Sequence, residues 1–286
     1  MTFGPLVTAE WLKAELGKPD LVVLDATWFL PNENRDGRAE HLAARIPGAR
    51  FFDIDAVSDP DSDLPHMLPT AGRFARLVGA LGIGNDSRVV AYDAKGIASA
   101  PRAWWMFRVF GHDKVAVLDG GLPAWRAAGG TIESGEPVPV APKRFVPSYR
   151  AGLVVGFGDL IRPILDQRLP RPRIVDARAK GRYDGTAPEP RPGLRSGHIP
   201  YSDNLPYTEL LTPDGRLADE ATLRARLAEV GVDGSEPVVF TCGSGVSACV
   251  LALAAARLGL PDAAVYDGSW SEWASHPDGI IVTHED

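Results

Sequence analysis

The residue best placed to do chemistry is Cys242, in the run Pro237-Val238-Val239-Phe240-Thr241-Cys242-Gly243-Ser244-Gly245-Val246-Ser247. A short apolar strand leads straight into it. Two glycines and small hydroxyl residues follow, and then a helical stretch from Ala248 to Leu258. A strand–loop–helix turn of this kind gathers backbone N–H groups at the positive end of a helix dipole and favours an anion at its centre. That anion would be the Cys242 sulfur, as thiolate or as persulfide, with the loop from Gly243 through Gly245 and Val246 to Ser247 supplying the amides. Such surroundings lower a thiol pKa and make the sulfur nucleophilic at neutral pH. A free cysteine is often only a small buried apolar group; the order strand, glycines, helix favours the nucleophile. Cys249, inside the helix among Ala248, Val250 and Leu251, reads instead as an inert packing thiol.

The elements around this loop belong to a chain of 286 residues with 45% hydrophobic and 23% charged residues, a composition that supports a globular core. The net charge of −7 without a basic stripe argues against nucleic-acid binding. No apolar run reaches the length of a membrane span, and the first residues show no basic region followed by an apolar one, so a cytoplasmic protein is expected. Two cysteines cannot make a disulfide framework or a cysteine-rich zinc site.

The chain says the same thing twice. Leu21-Val22-Val23-Leu24-Asp25-Ala26 matches Arg173-Ile174-Val175-Asp176-Ala177-Arg178, and Arg45-Ile46-Pro47 matches His198-Ile199-Pro200. Val89-Val90-Ala91-Tyr92-Asp93 matches Val238-Val239-Phe240-Thr241-Cys242. Val117-Leu118-Asp119-Gly120-Gly121 with Trp125 matches Val265-Tyr266-Asp267-Gly268-Ser269 with Trp273. Four anchors in one order, repeated at half the chain length, indicate a duplicated domain. Each half alternates short buried strands with helices such as Phe74–Leu81, Arg102–Phe110 and 221–230, the pattern of an α/β fold with a mainly parallel sheet flanked by helices. The expected division is 1–135, a proline-rich linker at 136–151, and 152–286. In the duplicate register Asp93 stands opposite Cys242. A carboxylate cannot do thiol chemistry, so the first domain would wall a cleft whose nucleophile comes from the second.

These features resemble the tandem-domain rhodanese family, and within it the 3-mercaptopyruvate sulfurtransferases, over most of the chain from Leu21 to Trp273. Further segments share the likeness: Phe51-Phe52-Asp53-Ile54-Asp55, Leu64-Pro65-His66-Met67-Leu68-Pro69, Ser99-Ala100-Pro101-Arg102, Gly181-Arg182-Tyr183 and Pro188-Glu189-Pro190-Arg191. Ser247 stands where the family usually has threonine, and Arg45 where it has histidine in the first Gly-His-Ile-Pro motif. The resemblance implies two rhodanese-like domains and a Ser244–His66–Asp55 relay. It also implies that Arg182 and Arg191 hold the carboxylate and carbonyl of an α-keto acid donor, as a guanidinium fork suits a carboxylate. From the residues alone His66 is as readily a satisfied core histidine. Asp53 competes with Asp55 and would face the other way on an extended segment.

The expected chemistry is sulfur transfer from a small-molecule donor through a Cys242 persulfide to cyanide, a small thiol or a thioredoxin-like protein. It needs no organic cofactor or metal. Thiosulfate:cyanide transfer is the competing activity. Family members that prefer thiosulfate carry a cationic loop of the form Cys-Arg-x-Gly-x-Thr, whereas positions 243 and 244 here are Gly and Ser. A non-catalytic persulfide carrier is the third reading. A cysteine phosphatase is excluded, because the phosphate-clamping arginine six residues after the nucleophile is replaced by Ala248.

Overall fold

The computed structural model describes residues 3–283; Met1, Thr2 and residues 284–286 lie outside it. Two compact units emerge. The first comprises Met1–Pro60, Leu68–Arg150 and Leu211–Leu217, and the second Asp61–Met67, Ala151–Leu210 and Ala218–Asp286.

In the first unit the strands are β1 (Leu6–Val7), β2 (Leu21–Asp25), β3 (Arg50–Phe51), β4 (Arg88–Tyr92) and β5 (Val115–Leu118). They pair in the order β1-β5-β4-β2-β3, parallel throughout. The second unit repeats this plan with β6 (Val154–Val155), β7 (Arg173–Asp176), β8 (Ser202–Asn204), β9 (Val238–Thr241) and β10 (Ala264–Tyr266), ordered β6-β10-β9-β7-β8 and again parallel. Strands covered on both faces read as continuous apolar runs, which is why Val89, Val90, Ala91, Val239 and Phe240 are all buried. The helices announced by the periodicity are Ala71–Ala80, Ala100–Val109, Glu220–Glu229 and Ala248–Arg257. The Thr70 hydroxyl and the Asp219 carboxylate cap two of them by accepting from the amides of Arg73 and Thr222. Among the described residues no helix is long and apolar enough to cross a membrane.

Residues 136–150 pack as an irregular strap on the first unit. The Lys143 amide donates to the Gly79 carbonyl at 2.9 Å, and Asn85 holds Val146 through both its side-chain atoms at 2.8 and 2.9 Å. A Cβ at Gly79 would lie 2.5 Å from the Lys143 carbonyl oxygen, so only glycine admits the strap there.

Strand order also fixes where chemistry can sit. From β7 the chain goes to β8 on one side, then crosses back to β9 on the other. The crevice between neighbouring strands at such a reversal opens at their carboxyl ends. In the second unit those ends carry Asp176 and Cys242; in the first, at the corresponding reversal between β2 and β4, they carry Asp25 and Asp93.

Candidate active site

Cys242 directly follows β9 and is 2% exposed. Its backbone is fastened to the start of the helix Ser269–Ser275. The Cys242 amide donates to Ser269 Oγ at 3.3 Å, and its carbonyl accepts from the Trp270 amide at 2.9 Å. The Gly243 carbonyl accepts from the amide and hydroxyl of Ser271 at 2.9 and 2.7 Å. Gly245 lies at φ +74°, a left-handed turn that glycine adopts without strain. Beyond it the helix Ala248–Arg257 begins, and the Cys249 thiol donates to the Gly245 carbonyl at 3.2 Å. Among the described residues the amides of Gly243, Ser244, Val246 and Ser247 have no hydrogen-bond acceptor.

The first unit shows what such a loop binds. Asp93 follows β4 as Cys242 follows β9, and it is fully buried. Its Oδ1 accepts from the Lys95 amide at 3.0 Å, while Oδ2 accepts from the amides of Ala98, Ser99 and Ala100 at 2.9 Å each. Burial pushes this carboxyl up, and the four amides pull it back toward ionisation. Oδ2 is three bonds from Cα, the same reach as the outer sulfur of a cysteine persulfide. The loop of the first unit, one residue longer, is thus closed around its own carboxyl oxygen.

Ser244 and His66, far apart in sequence, meet within the second unit, which holds the segment Asp61–Met67. His66 Nδ1 lies 2.9 Å from Ser244 Oγ and 3.3 Å from the Ser244 carbonyl oxygen, and both residues are 4% exposed. His66 adopts φ +62°, a left-handed conformation that costs a non-glycine residue about 1–2 kcal/mol. Strain held at a buried polar contact is the usual mark of a functional position.

Asp55 belongs to the first unit and sits in the opening turn of the helix Ile54–Val57, where its Oδ2 accepts from the Trp28 indole at 3.1 Å. The segment is helical rather than extended because Asp53 caps it, accepting from the Ala56 amide at 3.0 Å. Asp53 is therefore a structural cap.

Arg182 lies on the short helix Lys180–Tyr183 that follows β7. Its guanidinium reaches the loop: a Cβ on Gly243 would stand 2.9 Å from Arg182 Nη2. The guanidinium is forked by Glu189, Nε to Oε1 at 3.2 Å and Nη2 to Oε2 at 2.5 Å. Glu189 also accepts from Arg178 Nη1 at 2.8 Å. Arg178 is itself forked by Asp176 at 2.9 and 2.7 Å and lies over the Trp270 ring at 4.4 Å. Burial pulls the Arg178 guanidinium down, but the two carboxylates hold it above its ordinary value. Arg191 is half-buried on the irregular segment after Glu189.

Asp176, Arg178 and Glu189 form an ion-pair chain to Arg182 that sequence reasoning passed over. The signal was present, since Asp176-Ala177-Arg178 anchors the internal repeat and Pro188-Glu189-Pro190-Arg191 marks the family likeness.

Taken together, fold and site define a tandem α/β protein in which one copy presents a cysteine, and the other a carboxylate, at the end of the central strand. The chain belongs to the rhodanese family: the family model described as "Rhodanese-like domain" matches residues 8–128 and 162–276. It is 45% identical over 302 residues to the thiosulfate/3-mercaptopyruvate sulfurtransferase 1, mitochondrial, of Arabidopsis thaliana, covering 99% of this chain and 79% of that one. It is 45% identical to the 3-mercaptopyruvate sulfurtransferase of Rattus norvegicus, with 98% and 95% covered. Among solved structures, the Escherichia coli protein SseA, described as a 3-mercaptopyruvate sulfotransferase, superposes with a TM-score of 0.83 at 38% identity, covering 94% of this chain and 100% of that one.

Proposed function

We propose that this protein is a sulfurtransferase that takes sulfur from 3-mercaptopyruvate onto Cys242 and passes it to a thiol or to cyanide. The single observation that carries the reading is the loop after Cys242: its counterpart in the first unit holds a carboxyl oxygen three bonds from Cα on three amides. A persulfide would place its outer sulfur at that reach, and amide donors suit such an anion.

Arg182 and Arg191 hold the donor carboxylate and carbonyl. The Cys242 thiolate attacks the donor sulfur. The new bond is S–S and the broken bond is C–S; the electron pair goes to the methylene carbon as the enolate of pyruvate. The proton that left the donor thiol returns to that carbon, so pyruvate departs and Cys242 remains as the persulfide anion. Ser244 and His66, in contact at 2.9 Å, form the path for this proton. An acceptor thiolate then attacks the outer sulfur, gaining it and restoring the Cys242 thiolate. The cycle is a double displacement. A small thiol or a thioredoxin-like protein fits the acceptor role, and the cytoplasm is the proposed compartment, testable by fractionation; the Arabidopsis relative is named mitochondrial.

Thiosulfate is the second donor reading, favoured by the double name of that relative. Steady-state kinetics with both donors, and mass spectrometry of Cys242 after each, test the proposal. Higher kcat/KM on 3-mercaptopyruvate, a one-sulfur mass gain on Cys242, and loss of both in Cys242→Ser are expected. Preference for thiosulfate would reverse the donor assignment. A loaded cysteine that no acceptor discharges would make the protein a carrier.

A further inference from the structure

We propose that Glu189 is a positioning residue that sets donor preference by aiming and neutralising Arg182; this rests on the donor reading above. Three observations carry it. Glu189 is almost wholly buried, its side chain 3% exposed, yet it spends its carboxylate on two arginines at once. Its fork uses Nε and Nη2 of Arg182 and leaves the Nη1 edge, which has no partner among the described residues. The atom it grips most closely, Nη2, is also the one that lies over Gly243, beside the nucleophile.

Geometry and charge then act together. A guanidinium pinned along one edge presents the other edge in a fixed plane, the arrangement that receives a carboxylate side-on. The cluster of Asp176, Arg178, Arg182 and Glu189 carries two formal charges of each sign. A dianion therefore meets no surplus of positive charge from it, while a singly charged planar carboxylate still finds a fork. Gly243 completes the device, because any side chain there would push on Nη2. Glu189 thus favours α-keto carboxylate donors over compact dianions such as thiosulfate, through Arg182 and without touching either.

The test is a two-donor kinetic panel on wild type, Glu189→Gln and Glu189→Asp, with thermal unfolding recorded for each. In Glu189→Gln the fork loses its charge. KM for 3-mercaptopyruvate should rise about tenfold with kcat within about twofold, and the ratio of kcat/KM for thiosulfate to that for 3-mercaptopyruvate should rise at least about tenfold. Glu189→Asp keeps the charge but falls a methylene short of Arg182. Its KM for 3-mercaptopyruvate should rise while thiosulfate kinetics stay near wild type, and this variant decides the matter if Glu189→Gln does not fold. An unchanged donor ratio in folded Glu189→Gln, equal loss of kcat on both donors, or an unchanged KM in Glu189→Asp would overturn the role. A wild-type protein that loads Cys242 from neither donor sinks the donor reading and this inference with it. Wild-type loading combined with an unmoved ratio sinks the inference alone.

Discussion

Replacing Asp93 tests the idea that the loop of the first unit is closed around its own carboxyl group. In Asp93→Ala four amides, now bound at 2.9–3.0 Å, lose their acceptor; those of Ser99 and Ala100 are buried, while those of Lys95 and Ala98 are only partly so. Each buried donor left unsatisfied costs about 1–3 kcal/mol, so the two buried amides put the raw penalty at roughly 2–6 kcal/mol and the two partly buried ones add less than that. Two effects reduce it. The desolvation that pushes the Asp93 carboxyl up disappears with the carboxyl, and water can enter the space it leaves. A net loss of about 3–5 kcal/mol is expected, a large share of the stability of an ordinary domain. Urea unfolding followed by tryptophan fluorescence reads it directly. Trp11, Trp28, Trp104, Trp105 and Trp125 report the first unit, and Trp270 and Trp273 the second, so the early loss should appear in the signal of the first. Formate provides the decisive arm, since it is the missing carboxylate without the tether. Added at about 100 times its dissociation constant it should return about 2.7 kcal/mol to Asp93→Ala and nothing to wild type. An alanine variant within about 1 kcal/mol of wild type and indifferent to formate would refute the closed cradle, and with it the best structural support for a persulfide held by the same loop at Cys242.

Other expectations concern the site and the pH profile. Gly243→Ala brings a Cβ to 2.9 Å from Arg182 Nη2, so the fork to Glu189 must loosen; losing one charge-assisted bond of about 1.5–3 kcal/mol should raise donor KM about 10- to 100-fold with little change in kcat. Ser244→Ala removes the hydroxyl on His66 and should lower kcat about 10- to 100-fold on 3-mercaptopyruvate while leaving KM near wild type; a change confined to KM would take Ser244 out of the proton path. His112 is buried beside the rings of Phe107 and Phe145 at 5.6 and 5.7 Å, and burial pushes its imidazole below the ordinary value. The unfolded chain therefore takes up the proton first, and unfolding free energy should fall as pH drops below about 6.5, down to the depressed folded value. His112→Phe should flatten that part of the profile; an unchanged slope would place the effect elsewhere.

The sheets were legible because buried parallel strands leave unbroken apolar runs, and the duplication was legible because Val89–Asp93 and Val238–Cys242 keep the same register. The turn after Cys242 could be seen for a related reason: glycine at 245 is demanded by φ +74°, and a sequence carries backbone demands of that kind openly. Long-range polar pairings leave no such trace. Nothing in the local sequence of Leu64-Pro65-His66 says that the ring will meet Ser244, because segment 61–67 leaves its own half of the chain to join the second unit. Asp53 and Asp55 were separable only once the short helix that Asp53 caps and Asp55 belongs to was visible, since capping turns one carboxylate inward to the backbone and leaves the other on Trp28.

Glu189 was the harder omission, and the reason is physical. Asp176 and Glu189 cancel Arg178 and Arg182 only in space, while along the sequence Arg178–Arg191 reads as a solvated, turn-rich stretch. The cancellation is itself informative. Burying the Arg178 guanidinium and much of Arg182 near Cys242 is tolerable only if carboxylates are buried with them, because unpaired charges would cost far more than the fold can supply. A site built to bind an anion with buried arginines must therefore carry matching acids, and its net charge can be small even while its geometry is specific. Donor recognition in this protein is then expected to depend on where Arg182 points rather than on how positive the surroundings are. That expectation separates it from a loop with a cation at position 243, where charge alone would draw the donor. The two cases differ in salt dependence. Long-range attraction is screened by added salt, whereas a short fork in a buried site is not. Raising ionic strength from about 0.01 to 0.15 M, which shortens the screening length from about 30 to 8 Å, should leave KM for 3-mercaptopyruvate within about twofold. A steep rise in KM over that range would show that charge and not aim governs binding.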